Sequence, residues 1–293
     1  MKPNITDGRD ADGTGAESHK KRPLFSVIWQ DENIVALNKS SGIAVSPDRW
    51  DPSLQHLDKL AAKALNIEKL YTVHRIDRDT SGLVVFAKNA QAHKALSAAF
   101  EKQQVEKRYI AAVGGRPSWS ETVCDLPLVP NGNKLHHTIV DKYRGKPSLT
   151  RFRLLGSAGN FSILEAFPET GRTHQIRVHL AALGHPVLCD SFYGNAKPVM
   201  LSAIKRGWRG DPLEERPLLS RLALHAAQLS IPCCYLETIT NLCDNCGNFA
   251  TTDQENGLRF KAPLSRDIAA LIRQMEKAAG SDFGIFHTEE ALR

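Results

Sequence analysis

The sequence predicts an α+β protein with a largely antiparallel, mixed central β-sheet flanked by helices and loops. Two observations lead to this class. Apolar runs typical of strands follow one another without the regular strand–helix alternation of a parallel fold. Between them lie segments whose apolar residues recur at helical spacing. No internal repeat is visible in the 293 residues, so a repeat architecture is not predicted.

The chain begins with a polar segment that cannot form a core. Residues 1–22 are rich in Asp, Gly, Lys and Asn and contain almost no aliphatic residues, so we expect a flexible tail there. At about 100–200 residues per domain, the remaining length allows one large domain or two modest ones. We predict that residues 23–293 form one domain.

The predicted elements then follow in chain order. Apolar or alternating runs predict strands at 25–30, 33–38, 82–87, 109–113, 150–154, 161–167, 222–231 and 258–260. Helices are expected after four residues that can serve as N-caps, namely Ser53, Asn89, Thr173 and Ser265. Gly184 is in position to end the third of these helices. Segment 191–217 mixes Gly, Pro, Arg and Trp and is expected to be a surface loop.

The charge balance is mildly basic. The chain contains 38 Lys and Arg against 32 Asp and Glu, a formal charge of +6, which permits a polyanionic partner without requiring one. There is no run of about 18 apolar residues, and the first residues contain no apolar signal-peptide core. We therefore expect a cytoplasmic protein that does not contact a membrane.

The six cysteines are expected to be reduced thiols, because nothing in the sequence suggests secretion. Cys243 and Cys246 have the CxxC spacing of a zinc ligand pair. The other late pair, Cys233 and Cys234, is adjacent in sequence, and neighbouring side chains of an extended segment point in opposite directions. Thiols in a loop or a core are therefore favoured over a metal site, and we predict no metal.

Three segments carry residues suited to chemistry. Segment 73–82 places two arginines, two aspartates and two hydroxyl residues in one turn before a buried strand. Such a turn could hold an ionised Asp, or it could be an ordinary loop with surface ion pairs. Segment 171–180 is helical in pattern, with His174 and Arg177 on a side that could face a cleft. His179 falls in the apolar stripe and is expected to be a hydrogen-bonded core residue. Tyr109, in segment 107–114, would by itself be a packing residue.

Together these segments resemble a known family. Residues 74–82, His-Arg-Ile-Asp-Arg-Asp-Thr-Ser-Gly, are similar to the HRLDxxTSG signature of RluA-type pseudouridine synthases. Further segments with family-like sequences, in the family's order, are 38–42, 107–114, 171–180, 184–194, 221–226 and 261–264. The resemblance extends over about 24–275. Departures are Ser40 for a usual Pro, Ile76 for a usual Leu and Cys189 for a common Gly.

The resemblance implies a pseudouridine synthase catalytic fold with an active-site cleft across the sheet. Such enzymes break the bond from ribose C1′ to uracil N1, turn the base and rejoin it through C5, without cofactor or metal. Asp77 matches the family's catalytic aspartate, Arg177 the arginine that pairs with it, and Tyr109 the residue that packs on the base. RNA contacts are expected at Arg75, Lys39, Arg78 and Arg172.

The RNA partner is expected to be rRNA ahead of tRNA, and the protein a monomer. Two other classes stay open at this point. One is an RNA-binding protein of the same fold that has lost activity, against which Asp77, Tyr109 and Arg177 all argue. The other is a zinc-dependent nucleotide hydrolase, which would need an activating Glu beside a ligand, as in His-x-Glu. The sequence has this spacing once, at 287–289, outside the segments suited to chemistry.

Overall fold

The structure is a computed structural model that describes residues 23–47, 55–236, 239, 250–253 and 257–285. Within them the elements are β1 (Phe25–Gln30), β2 (Ile34–Lys39), α1 (Leu57–Ala64), β3 (Tyr71–Thr72), β4 (Ser81–Ala87), α2 (Ala90–Glu101), β5 (Glu106–Gly114), β6 (Glu121–Cys124), β7 (Leu128–Val129), β8 (Ile139–Val140), β9 (Thr150–Ala158), β10 (Phe161–Pro168), α3 (Gln175–Ala182), β11 (Leu224–Ile231), β12 (Ala250–Asp253), β13 (Gly257–Lys261) and α4 (Arg266–Ala279). The tail predicted for 1–22 lies outside the described residues.

One large mixed sheet organises the described chain. Its strands lie in the order β1-β2-β4-β11-β5-β10-β9-β6, with β3 paired to β4, β13 paired to β11, and β12 paired to β13. β4 and β11 are parallel, whereas the neighbouring pairs β2–β4 and β5–β11 are antiparallel. β7 and β8 form a separate hairpin. The predicted α+β class with a largely antiparallel mixed sheet is confirmed.

Two apolar clusters stabilise the sheet on either side of its middle. The first contains buried residues of strands β2 and β4 and of helices α1 and α2. The second contains buried residues of β5, β10, α3 and α4. Tyr109 packs against both clusters. It therefore lies at the centre of the molecule, where the two halves of the sheet meet.

A glycine permits the parallel junction between these halves. Gly82 in β4 has φ +109°, and a Cβ added there would lie 2.2 Å from the carbonyl oxygen of Ala226 in β11. A side chain at this position would therefore force the two strands apart. Ser81, one residue earlier, approaches His225 Nδ1 at 3.0 Å. The end of the 73–82 turn is thus fixed to the middle of the sheet.

The predicted helix starts agree only in part with the structure. Asn89 caps α2 as predicted, its Oδ1 accepting from Ala92 N at 2.9 Å. The prediction that Thr173 caps α3 is wrong: the N-cap is His174, with φ 54° and no capping bond. Ser265 does precede α4 but makes no capping bond, because its hydroxyl instead accepts from Arg221 Nη2. The predicted cap Ser53 lies outside the described residues.

The segment predicted as a surface loop is only partly one. No strand or helix is assigned between 191 and 217, all of which the structure describes. Val199 and Ile204 are nevertheless buried in the second cluster, and Val199 pairs with Leu219 through an isolated bridge. The segment thus contributes to the core as well as to the surface. Among the described residues, no helix has the length and apolar character needed to cross a membrane.

Candidate active site

The turn that carries Asp77 connects β3 to β4 and is held by the residues that follow β2. Gly42 N donates to the carbonyl of Arg78 at 2.8 Å, and Ser41 Oγ donates to the carbonyl of Asp79 at 2.7 Å. Lys39 Nζ also donates to the Arg78 carbonyl, at 2.9 Å. These bonds fix the backbone directly after Asp77, whose side chain remains 24% exposed.

The position of Lys39 corrects one sequence prediction. Lys39 is only 1% exposed, and its ammonium donates to the carbonyls of Ser40, Ile43 and Arg78 at 2.8–2.9 Å. An ammonium has three N–H donors, and all three are occupied in this way. Burial lowers the pKa of Lys39 to about 7, against the opposing charges of Asp79 and Asp77. Lys39 therefore supports the turn from beneath, and the expected contact with RNA is wrong because the group is not accessible.

Arg177 lies beside Asp77 on the buried face of α3. Its Nη1 is 3.3 Å from Asp77 Oδ2, and its Nε and Nη2 each donate to Asp190 at 2.8 Å. Burial would lower the pKa of Arg177, but the bonds to Asp190 and the charge of Asp77 raise it above its usual value. Asp190 thus anchors the guanidinium by a bidentate pair through Nε and Nη2, which leaves Nη1 to face Asp77.

Asp190 in turn is held ionised by its surroundings. It is 1% exposed, and burial alone would raise its pKa, but the bonds from Arg177 lower it, helped by the backbone N–H groups of Phe192 and Tyr193. These two amides lie 2.8 and 3.1 Å from Oδ1. The buried arginine therefore has a fully ionised partner, as burial of a charge requires.

Tyr109 lies on β5 in the wall of the same cleft. Its neighbours across the sheet are Ala166 on β10 and Ala226 on β11, small residues that leave its ring room. Burial raises the pKa of the Tyr109 phenol, and the charge of Asp77 raises it further. The hydroxyl is therefore protonated at neutral pH and can act as a donor.

The cleft around these groups has a volume of about 420 Å³, within the range of small-molecule sites. The turn 73–77, the end of α2, the start of β5 and segment 170–177 line it. Among the described lining residues, four are Arg or Lys and two are acidic. Asp77, Tyr109 and Arg177, separated widely in sequence, are thus brought together in one basic cleft.

The expected RNA-contacting arginines lie at different depths. Arg75 is exposed and lines the cleft. Arg172 also lines the cleft, and its Nε donates to the Pro147 carbonyl at 3.1 Å. Arg78 is exposed, with Nε donating to the Gly42 carbonyl at 3.1 Å.

The histidines and cysteines form no metal site in the part of the chain that the structure describes, where no group of three candidate ligands is found. His179 is buried and hydrogen-bonded to Thr150 Oγ1 and the Leu126 carbonyl, each at 3.0 Å, as its place in the apolar stripe predicts. Cys233 and Cys234 lie in a short 3₁₀ turn. Cys243 and Cys246, the CxxC pair, lie outside the described residues.

Sequence reasoning missed the partners of the named residues. It assigned no role to Asp190, which lies thirteen positions after Arg177 and has no helical or strand relationship to it. It also missed the ring cluster in which Arg177 lies 5.1 Å from the Phe192 ring and 5.2 Å from the Tyr193 ring. The acidic residue within the family-like segment 184–194 was the one available signal.

Comparison with known proteins shows to which family the chain is similar. A family model described as RNA pseudouridylate synthase matches residues 33–182. Ribosomal large subunit pseudouridine synthase D of Zymomonas mobilis is 37% identical over 213 residues, which cover 70% of this chain and 64% of that protein. Dual-specificity RNA pseudouridine synthase RluA of Escherichia coli K12 is 34% identical over 216 residues, 72% of this chain and 88% of that protein.

Solved structures share the fold. Human RNA pseudouridylate synthase domain containing 4 gives a TM-score of 0.60 at 23% identity, over 85% of this chain and 92% of that one. Human RNA pseudouridylate synthase domain containing 1 gives a TM-score of 0.56 at 26% identity, over 86% of this chain and 94% of that one. The fold and cleft define a protein of the RNA-modifying synthase class. The chain belongs to the RNA pseudouridylate synthase family, and its RluA-type character is confirmed.

Proposed function

We propose that this protein isomerises a uridine in structured RNA to pseudouridine, with Asp77 as the catalytic carboxylate. One observation carries the proposal: Asp77 reaches into a basic cleft of about 420 Å³ with Arg177 Nη1 3.3 Å from its Oδ2. A carboxylate in such a site needs a cationic partner to stay ionised. The fixed pair of Arg177 and Asp190 provides that partner without movement during the reaction.

The carboxylate acts at the sugar of a nucleotide extruded from its stack. It either attacks ribose C1′ or removes the proton from C2′, and both routes require an ionised Asp77 aimed into the cleft. The C1′–N1 bond breaks, the uracil turns, and C5 joins C1′ as the carboxylate leaves C1′ or the proton returns to C2′. The C5 proton is then lost and N1 takes up a proton, so the product is an isomer of the substrate. Tyr109, at the wall of the cleft, supports the turning base and stands near the position from which the C5 proton must leave. Water must be excluded so that the broken bond is not hydrolysed.

The proposed substrate is rRNA, ahead of tRNA. Support comes from the names of the relatives, one a ribosomal large-subunit synthase and the other a dual-specificity RNA synthase. Arg75 and Arg172 in the cleft, with the exposed Arg78, are proposed to contact phosphates of the flanking nucleotides. The reaction is proposed to take place in the cytoplasm on a monomeric enzyme. Single-nucleotide mapping of pseudouridine in cells with and without the protein would identify the target uridine.

An inactive RNA-binding protein remains the second candidate within this family. The intact arrangement of Asp77, Arg177 and Tyr109 in one cleft favours an active enzyme over it. A zinc-dependent hydrolase has less support, because no group of three candidate metal ligands exists among the described residues.

Replacement of Asp77 by Asn tests the proposal. The amide keeps the shape but can neither attack C1′ nor accept a proton, so we expect pseudouridine formation to be abolished while RNA binding persists. Asp79→Asn, in the same turn with an exposed side chain, is the matched control and is expected to retain activity. Residual turnover of Asp77→Asn within about tenfold of wild type, which corresponds to roughly 1.4 kcal/mol in barrier, would refute the assignment.

A further inference from the structure

His174 occupies an unusual conformation beside the catalytic carboxylate. It is the N-cap residue of α3 with φ 54° and ψ 19°, and its side chain makes no capping bond. Left-handed backbone is uncommon for a residue with a side chain and is retained where the surroundings impose it, often at functional sites. In this conformation the imidazole enters the cleft, where Nε2 lies 4.0 Å from Asp77 Oδ2.

The other ring nitrogen is held by a chain of hydrogen bonds from the β7–β8 hairpin. Thr138 N, just before β8, donates to Tyr193 Oη at 3.0 Å. Tyr193 Oη lies 2.9 Å from His174 Nδ1. The His137 ring, next to Thr138, stacks on Phe192 at 4.8 Å. The hairpin and the segment after Asp190 therefore hold Tyr193 against His174.

These bonds favour one tautomer of His174. A backbone N–H can only donate, so Tyr193 Oη accepts from Thr138 and keeps its own proton for an acceptor such as His174 Nδ1, 2.9 Å away. Burial raises the pKa of Tyr193 and lowers the pKa of His174, so the phenol keeps its proton and the imidazole is neutral. A neutral imidazole that accepts at Nδ1 carries its proton on Nε2. That N–H faces Asp77.

We propose that Tyr193 fixes His174 as the Nε2–H tautomer, and that His174 is a positioning residue that donates to Asp77 Oδ2 when RNA fills the cleft. Arg177 Nη1 approaches the same oxygen at 3.3 Å, so the two donors would define the direction of the carboxylate. At 4.0 Å the His174 contact is longer than a hydrogen bond, as is common for catalytic contacts before substrate binds. A neutral donor orients the carboxylate without adding a second full positive charge beside Arg177.

The tautomer can be tested without an activity measurement. In protein labelled with ¹⁵N-histidine, the ring nitrogens of His174 distinguish the two neutral tautomers by NMR. We expect Nε2 protonated and Nδ1 unprotonated in the wild type, and a shifted Nδ1 resonance in Tyr193→Phe because the hydrogen bond from the phenol is lost. A wild-type Nδ1–H tautomer, or an Nδ1 resonance that Tyr193→Phe leaves unchanged, would overturn the proposal. This readout does not depend on the proposed function.

The effect on Asp77 rests on the proposed function and is tested by steady-state kinetics on substrate RNA. Residues that orient a reacting group are commonly worth about 10–100-fold, so we expect Tyr193→Phe and His174→Leu each to lower kcat by at least about tenfold with little change in KM. His174→Gln, whose amide N–H can reach the Nε2 position, is expected to recover part of kcat relative to His174→Leu.

The control is Tyr143→Phe, which removes a hydroxyl from a side chain that is 99% exposed and is expected to leave kcat unchanged. Variants are compared only after their far-UV spectra and melting curves match those of the wild type. A change confined to KM, or equal activity of His174→Gln and His174→Leu, would contradict a positioning role. Full activity of Asp77→Asn would instead refute the proposed function, leaving the tautomer result intact.

Discussion

At the scale of single residues, the Tyr109 hydroxyl is a group whose role can be tested separately from the packing of its ring. If the ring only packs on the base, Tyr109→Phe keeps the aromatic face and is nearly silent. If the hydroxyl assists removal of the C5 proton, its loss costs about 10²–10⁴-fold. Because burial and the charge of Asp77 raise the pKa of the phenol, the hydroxyl would assist that step as a hydrogen-bonding group and not as a phenolate. We expect Tyr109→Phe to lose pseudouridine formation in a single-turnover assay.

RNA containing 5-fluorouridine provides the matched control for this variant. Its C5 carries fluorine, so no proton has to leave that atom. Tyr109→Phe should still process this RNA, whereas Tyr109→Leu, which lacks the aromatic surface, should be impaired with both substrates. Wild-type rates of Tyr109→Phe on uridine would show that the hydroxyl has no catalytic part.

Lys39 illustrates a buried charge with a structural task. Its three bonds to the carbonyls of Ser40, Ile43 and Arg78 are lost in Lys39→Met, which leaves those acceptors without their donor. We expect a loss of about 1–3 kcal/mol in the free energy of unfolding, measured by urea denaturation. Lys94→Met, at an exposed position of α2, should change it by less than about 0.5 kcal/mol. Equal stability of both variants would contradict the supporting role of Lys39.

Local patterns in the sequence drew attention to Asp77 and Arg177, and the family resemblance added Tyr109, but neither indicated the geometric partners of these residues. Asp77 lies in a dense polar turn, and Arg177 follows His174 by three positions, both of which can be read along the chain. Asp190 and Tyr193 act on Arg177 and His174 across loops, and no local spacing encodes such contacts. The same limit explains why the burial of Lys39 was not predicted. A lysine beside a polar segment is ordinarily exposed, and only tertiary packing buries this one.

At the scale of elements, the junction of β4 with β11 depends on Gly82. An alanine there would combine a φ of +109° with a Cβ 2.2 Å from the Ala226 carbonyl oxygen. We expect Gly82→Ala to lower the free energy of unfolding by about 2–4 kcal/mol, measured by urea denaturation. It should also lower activity, because β4 carries the end of the Asp77 turn.

Gly280, the residue after α4, is a control that distinguishes the cost of left-handed backbone strain from the cost of a steric clash. It has φ +69°, but a Cβ there would have no atom within 4 Å. Gly280→Ala should therefore cost only the left-handed strain, about 1–2 kcal/mol. If Gly82→Ala costs no more than Gly280→Ala, the close approach of β4 and β11 is not what requires glycine.

Long apolar runs predicted strands well, and short or irregular elements escaped prediction. All seven residues of β4 are buried, and an apolar run of this kind can be recognised from the sequence alone. β3, β7 and β8 have two residues each, too few for any periodicity, and exist through pairing with distant partners. The start of α3 was misplaced by one residue because the sequence offers Thr173 as a cap, whereas the packing of His174 in the cleft determines the actual boundary.

At the scale of the whole molecule, the two halves of the sheet each have an apolar cluster, and the proposed catalytic groups come from both. Asp77 precedes β4 in the first half, whereas Tyr109 and Arg177 lie on β5 and α3 of the second. The cleft therefore exists only when the halves are joined, which the parallel pairing of β4 with β11 achieves. This explains why residues 100 positions apart, Asp77 and Arg177, meet.

The basic character of the cleft should appear as a strong dependence of RNA binding on salt. If Arg75, Arg78 and Arg172 each neutralise one phosphate, the slope of log affinity against log salt is about −2 to −3, which gives roughly a 20–40-fold loss between 50 and 200 mM salt. Each Arg→Gln variant should make the slope shallower by about one, weakening all RNA sequences alike. Arg273→Gln, an exposed position on α4, should leave the slope unchanged in filter-binding titrations. A slope near zero in the wild type, or one that the triple variant preserves, would show that these arginines do not hold the RNA backbone.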